Sequence, residues 1–186
     1  MRRWSPAARS LTLTHMPNYR RLRVPAGTYF FTVNLAHRRD RILTANIAAL
    51  RSAFRETRAR QPFDLLAAVV LPNHLHCIWA LPEGDADNAR RWSRLKATFS
   101  RCVPHEEELS PSRIARRERG IWQRRFWERA IVDEDDFRTH IDYIHYNPVK
   151  HGLVARAIDW PHSSFRRWVA AGVYPEDWTL PPPNPP

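Results

Sequence analysis

The chain has 186 residues, 43% of them hydrophobic and 26% charged, enough for one domain with a well-filled core. Lys and Arg number 30 against 19 Asp and Glu, a net charge of +11 that points to a polyanionic partner, most often nucleic acid. No stretch approaches the roughly 20 apolar residues of a membrane helix, and no apolar run follows the basic start Met1-Arg2-Arg3, so membrane and secreted classes are not expected.

All the cations but Lys96 and Lys150 are arginines, whose planar fork suits phosphate oxygens and base edges. A genomic codon bias gives the same excess, so net charge, not arginine content, carries that inference. Cys77 and Cys102 make neither a disulfide framework nor a zinc site, which fits a reducing cytoplasm.

Residues 1–18 lack periodicity and read as a disordered extension, with Met16-Pro17-Asn18-Tyr19 as a natural beginning. Thr28 to Leu35 is β-branched and aromatic and predicts a first strand. Ile47, Leu50 and Phe54 fall at helical spacing within a predicted helix over residues 42–60. Two apolar runs, Phe63 to Leu71 and His74 to Leu81, flank Pro72-Asn73 and predict a hairpin. Residues 85–101 predict a helix with Trp92, Leu95 and Phe99 on one face. Val103 to Gly120 turns polar, with Glu106 to Glu108 followed by Arg113, Arg116, Arg117 and Arg119, and reads as a surface linker with at most a helical turn.

Phe126 to Val132 predicts a further strand. Asp133 to Asn147 is the clearest helix: Asp133 can cap it, acids crowd its first turn and Pro148 is expected to stop it. A short helix is expected near His162 to Ala171, and residues 179–186 form a Pro-rich tail that packs into no regular element. Strands alternating with helices in this order imply an α+β protein, with helices laid on an antiparallel sheet. One domain over residues 19–178 is expected.

Three groups of residues carry chemistry. His74 and His76 are two apart in a strand and so project from one face. They open two readings, half of a divalent metal site or polar positions alternating with Leu75 and Cys77. On the helix, Phe137, Ile141 and Ile144 form the buried stripe. Tyr143 and Asn147 differ in direction by only about 40°, so both can reach one site, while Tyr146 points away. The third group mixes rings with cations: Arg90, Arg91, Trp92, Arg94 and Lys96, then Trp122, Arg124, Arg125 and Trp127. Such mixing suits stacking on bases and contact with phosphates, or else a core with solvated charged faces.

Leu71-Pro72-Asn73-His74-Leu75-His76, Arg125-Phe126-Trp127-Glu128 and the run from His140 through Tyr143, Asn147-Pro148 and Lys150 to Val154 resemble the REP-associated tyrosine transposases. These are relatives of the single-tyrosine, His-hydrophobic-His transposases of insertion sequences. The likeness spans about Tyr19 to Trp178. It implies a ferredoxin-like antiparallel sheet and metal-dependent cleavage of single-stranded DNA at palindromic (REP) hairpins through a covalent phosphotyrosine. His74, His76 and Asn147 match the family's ligands for Mg²⁺ or Mn²⁺, and Tyr143 matches its nucleophile. DNA contacts are expected from Arg20, Arg21, Arg38, Arg39, Arg90, Arg91, Arg94, Lys96, Arg124, Arg125 and Lys150. A cytoplasmic, nucleoid-associated location is implied, and a monomer is expected with a dimer left open. Leu71 stands where Met is common, Arg129 where the family often has His, and the 103–120 linker is long. The competing functions are a non-catalytic DNA-binding module of the same fold and a metal-dependent nuclease that uses water.

Overall fold

The computed structural model of the chain describes residues 24–37, 41–104 and 109–179. The expected N-terminal extension with its Met16 start, the tail beyond residue 179, and Arg20, Arg21, Arg38 and Arg39 lie outside the described residues. Four strands, β1 (Thr28–Asn34), β2 (Asp64–Val70), β3 (His74–Ala80) and β4 (Trp127–Ala130), form one sheet in the order β2-β3-β1-β4. Every neighbouring pair is antiparallel. Helices α1 (Ile42–Ala45) and α2 (Ile47–Arg60) connect β1 to β2, and α3 (Asn88–Arg101) and α4 (Pro111–Ala115) connect β3 to β4. After β4 come α5 (Glu134–Lys150), a 3₁₀ turn over Ala157–Asp159 and α6 (Phe165–Ala170). The β-α-β-β-α-β order with this sheet arrangement is the ferredoxin-like topology that the family resemblance implies.

Both sheet faces are covered, because the strands alternate apolar residues to both sides. Tyr29, Phe31 and Val33 of β1 and Leu75, Cys77 and Trp79 of β3 join Leu50, Trp92, Leu95 and Phe99 of α2 and α3 in one core. Trp79 and Trp92 stack there at 4.6 Å, and the Trp79 indole N–H donates to Asn88 Oδ1 at 2.8 Å. Each such fully buried large side chain contributes roughly 1.5–3 kcal/mol. The other face sets Phe30, Val69 and Ile78 against Ile141 and Ile144 of α5. A bulge between Leu65 and Ala67 in β2 keeps both cores supplied after the register shift.

The hairpin turn is the two residues expected: the Leu71 N–H donates to His74 O at 2.9 Å across Pro72-Asn73. Leu35 N–H donates to Asn73 O and Leu43 N–H to Pro72 O, so the turn is pinned to the end of β1 and to α1. That fixes where His74 begins β3.

Several predicted bounds move. The helix predicted over 42–60 breaks at Asn46, whose side-chain amide donates to Ile42 O at 3.0 Å. Asparagine competes with the helical ladder in this way. Helix α3 starts at Asn88 rather than near Asp85, with Asp87 as its cap accepting from Arg90 N. Phe126 precedes β4 and turns into the α3 core. Pro148 does not stop α5, which continues to Lys150. The helix closes instead through Gly152 at φ 64°, where Gly152 N–H donates to Val149 O and Leu153 N–H to Pro148 O. Those two bonds make the Schellman closure, and glycine supplies the left-handed residue it needs.

Candidate functional site

Helix α5 lies across the face from which His74 and His76 project. Its first turn holds Glu134, Asp135 and Asp136, and the Asp133 carboxylate accepts from Asp136 N at 2.8 Å. Acid at a helix N-terminus complements the dipole. Ile141 and Ile144 are buried against the sheet, which turns Tyr143 toward the histidines and leaves Tyr146 on the far side, edge-on to Trp178 at 6.1 Å.

The Tyr143 ring lies 5.2 Å from the His76 ring, centroid to centroid, and 6.1 Å from Phe30. The His74 and His76 rings are 5.1 Å apart. His74 Nδ1 is 2.6 Å from Asn73 Oδ1, an arrangement that suits the tautomer with its proton on Nδ1. His76 Nδ1 meets Thr32 Oγ1 at 2.9 Å, and its Nε2 is buried with no hydrogen-bond partner. One turn after Tyr143, Asn147 is fully buried; its amide donates to Tyr143 O at 3.4 Å while Oδ1 is buried without a partner. Unsatisfied buried polar atoms are costly, and two of them on facing elements are what a bound ligand would satisfy.

Electrostatics keep His76 neutral. Burial pushes it well below the ordinary imidazole range, and the neighbouring His74, His151 and Lys150 push the same way. Lys150 Nζ stands 4.9 Å from the Tyr143 ring centroid, placing a cation over the phenol. Among the described residues no group of three or more His, Cys, Asp or Glu could hold a metal.

The structure thus brings together His74, His76, Tyr143 and Lys150, with Asn147 one turn along the same helix face. Three further residues sit at this site. His151, burial-lowered and 5.2 Å from His74, falls at i+8 from Tyr143, a helical spacing the sequence displayed. Asn73 is adjacent to His74 in sequence. Thr32 reaches His76 only through sheet register, for which no local pattern exists.

The expected DNA contacts divide. Arg91 must be corrected: it is 1% exposed, forks onto Asp85 at 3.0 and 2.6 Å and donates to Pro62 O and Asp87 O. It is a structural residue tying α3 to the ends of α2 and β3, because its spacing puts it on the buried face. Arg90, Arg124, Arg125 and Lys150 are exposed, and Arg94 and Lys96 are half-buried. Arg94 donates to Gln61 Oε1 and Lys96 to Gln123 O. Lys96 and Arg124 line a groove of about 700 Å³ between α3 and residues 113–126, together with Arg101, Arg113, Arg116, Arg117 and Arg119. Glu118 is the one acid there.

A REP-associated tyrosine transposase of Escherichia coli K12 is 47% identical over 163 residues, covering 88% of this chain and 91% of that protein. A Haemophilus influenzae relative named as a putative REP-associated tyrosine transposase is 48% identical over 164 residues, 88% of this chain and 93% of its own. A solved structure of the REP-associated tyrosine transposase bound to a REP hairpin superposes with a TM-score of 0.76 at 47% identity, over 89% of this chain and 92% of that one. No family model matches.

Proposed function

The chain belongs to the REP-associated tyrosine transposases, and on that premise we propose that Tyr143 cleaves single-stranded DNA beside a palindromic hairpin, leaving a covalent phosphotyrosine. The observation that carries this reading is the pair of buried polar atoms without a hydrogen-bond partner, His76 Nε2 and Asn147 Oδ1, on the two elements that bear His74, His76 and Tyr143. His74, His76 and Asn147 would hold a divalent ion, which when bound supplies Lewis-acid polarisation of a phosphate oxygen. Two imidazoles and an amide suit Mn²⁺ better than Mg²⁺, which prefers oxygen.

The protein's own groups do the rest. Thr32 and Asn73 hold the two imidazoles by Nδ1, which leaves Nε2 of each for another partner. The depressed basicity of His76 keeps its lone pair unprotonated. The Tyr143 oxygen gives up its phenol proton and forms the new bond to phosphorus; the bond from phosphorus to the 3′ oxygen breaks, and that oxygen leaves as a hydroxyl with one proton gained for the one lost. Lys150 offsets the negative charge that the phosphate brings beside the phenol. The strand's phosphodiester energy is kept in the protein–DNA bond, so rejoining needs no other energy source. The REP hairpin bound by the solved relative supports a hairpin of that kind as the substrate class, and the arginine-lined groove would supply phosphate contacts. A cytoplasmic, nucleoid-associated location goes with this reading, and among the described residues no helix is long and apolar enough to cross a membrane.

Tyr143→Phe abolishes cleavage of a REP hairpin with a single-stranded flank and leaves its binding within a few-fold. Tyr146→Phe still cleaves, since that ring packs on Trp178. Cleavage by the Tyr143 variant, or full activity of the wild type in excess EDTA, contradicts the mechanism. Equal cleavage of blunt duplex contradicts the single-strand substrate.

A further inference from the structure

Strand β4 is an edge of the sheet, and Trp127 at its start stands in the same row as His76. Thr32 of β1 is paired with His76 on one side and with Trp127 on the other. Directly opposed residues of an antiparallel sheet share a face, so the Trp127 indole lies on the face that α5 covers. Two strand spacings separate it from His76, about 10 Å along the row. Phe30 ties the group together: its ring is 5.6 Å from Trp127, 5.6 Å from His76 and 6.1 Å from Tyr143. It meets the indole edge-on at 74°.

Trp127 nevertheless remains 44% exposed, whereas Trp122 and Phe126 of the same segment are 7% and 9% exposed. The neighbours of Trp127 in sequence are charged: the exposed Arg125 lies two residues before it and Glu128 follows, while Arg124 forks onto Glu118 at 3.0 and 2.9 Å and Arg129, on the Trp127 face, pairs with Asp136 at 3.5 Å. Charge along an edge strand opposes pairing with a second copy of the chain. An exposed aromatic ring with an exposed arginine, Arg125, two residues before it in sequence is instead what an unpaired nucleobase and its phosphate require, and stacking on it is indifferent to which base arrives.

We propose that Trp127 is a stacking platform for an unpaired base of the single-stranded flank, next to the phosphate held at Tyr143, with Arg125 taking an adjoining phosphate. The placement beside the cleaved bond rests on the reading of Tyr143 as nucleophile. Stacking draws the flank over the β4 edge and onto the α5 face, which is where a strand must pass to reach Tyr143.

The test compares oligothymidylate with an abasic oligomer of equal length, so that phosphates match and only bases differ. Wild-type protein binds the thymidylate roughly 5- to 150-fold more tightly, the range that stacking of one base spans. Trp127→Ala removes that preference and Trp127→Tyr keeps most of it, while the salt dependence of binding is the same in all three. Trp127→Ala also slows adduct formation on a REP hairpin with a single-stranded flank. A preference that survives Trp127→Ala overturns the platform, as does equal wild-type binding of the two oligomers. If the wild type forms its adduct in either of those cases, the tyrosine reading stands without the platform. If no adduct forms while the preference depends on Trp127, the tyrosine reading falls and the platform stands.

Discussion

The His76 imidazole depends on one hydroxyl for its orientation. Thr32→Val keeps the shape of the side chain and removes the oxygen 2.9 Å from Nδ1. Partners of this kind are worth about 10–100-fold in metal affinity, so Mn²⁺ titration of the variant should show a loss of that order with the thermal unfolding little changed. Unaltered Mn²⁺ affinity would show that Thr32 does not orient the ring. Arg91 gives the opposite sort of test. It is enclosed while its partner carboxylate on Asp85, held below its usual range first by the Arg91 hydrogen bonds, is one-third exposed. Arg91→Ala removes the guanidinium bonds to Pro62 O, Asp87 O and Asp85, while Asp85 keeps its bond from the Asp87 N–H at 2.8 Å, and should cost about 3 kcal/mol in urea unfolding, at the lower end for a broken buried pair. Local spacing made His74, His76, Tyr143 and Asn147 legible in the sequence. Arg91 was misread because a cation among rings looks alike whether it faces phosphate or a buried carboxylate.

Helix α5 was legible from its capping acid and apolar stripe, but not its end. Proline before the last turn forfeits one ladder bond, and Gly152 decides where the helix closes. Gly152→Ala meets no steric neighbour, yet must adopt φ 64°, and should cost about 1 kcal/mol; an unchanged unfolding midpoint would contradict this. The same closure recurs at α4 with the wrong residue for it. Arg117 occupies the left-handed position at φ 55°, with Arg117 N–H donating to Ile114 O and Glu118 N–H to Arg113 O. Arg117→Gly should therefore stabilise the fold by roughly 0.5–1 kcal/mol while weakening DNA binding, because the strained arginine lines the basic groove. Stabilisation with no loss of DNA affinity would remove Arg117 from the binding surface. The sequence displayed the arginines of this segment and hid the turn that aims them, since nothing in Arg-Arg-Glu signals a positive φ.

For the whole molecule, strand order was legible only through the family resemblance; alternation predicts strands and their faces, whereas the pairing of β1 between β3 and β4 is set by contacts far apart in sequence. Burial of histidines is another property of the assembled fold. His145, enclosed with Nε2 on Ser164 Oγ, is pushed down to about 3 by burial and then by Arg167. Burial also lowers His140 and His76, in His140 against the opposing pull of Asp136. Unfolded histidines titrate near 6.5, so below that pH the unfolded chain takes up protons that the folded chain does not, and stability falls as pH falls. Urea midpoints should drop between pH 7.5 and 5, and His145→Gln should flatten the drop; a rise on acidification would contradict the burial. The most direct measurement for the account as a whole is proteolytic mapping, by mass spectrometry, of protein incubated with Mn²⁺ and a REP hairpin carrying a single-stranded flank. The account predicts a nucleotide-bearing peptide whose modified residue is Tyr143, absent in Tyr143→Phe and in excess EDTA. Cleaved DNA with no protein adduct, or an adduct on Tyr146, would contradict it.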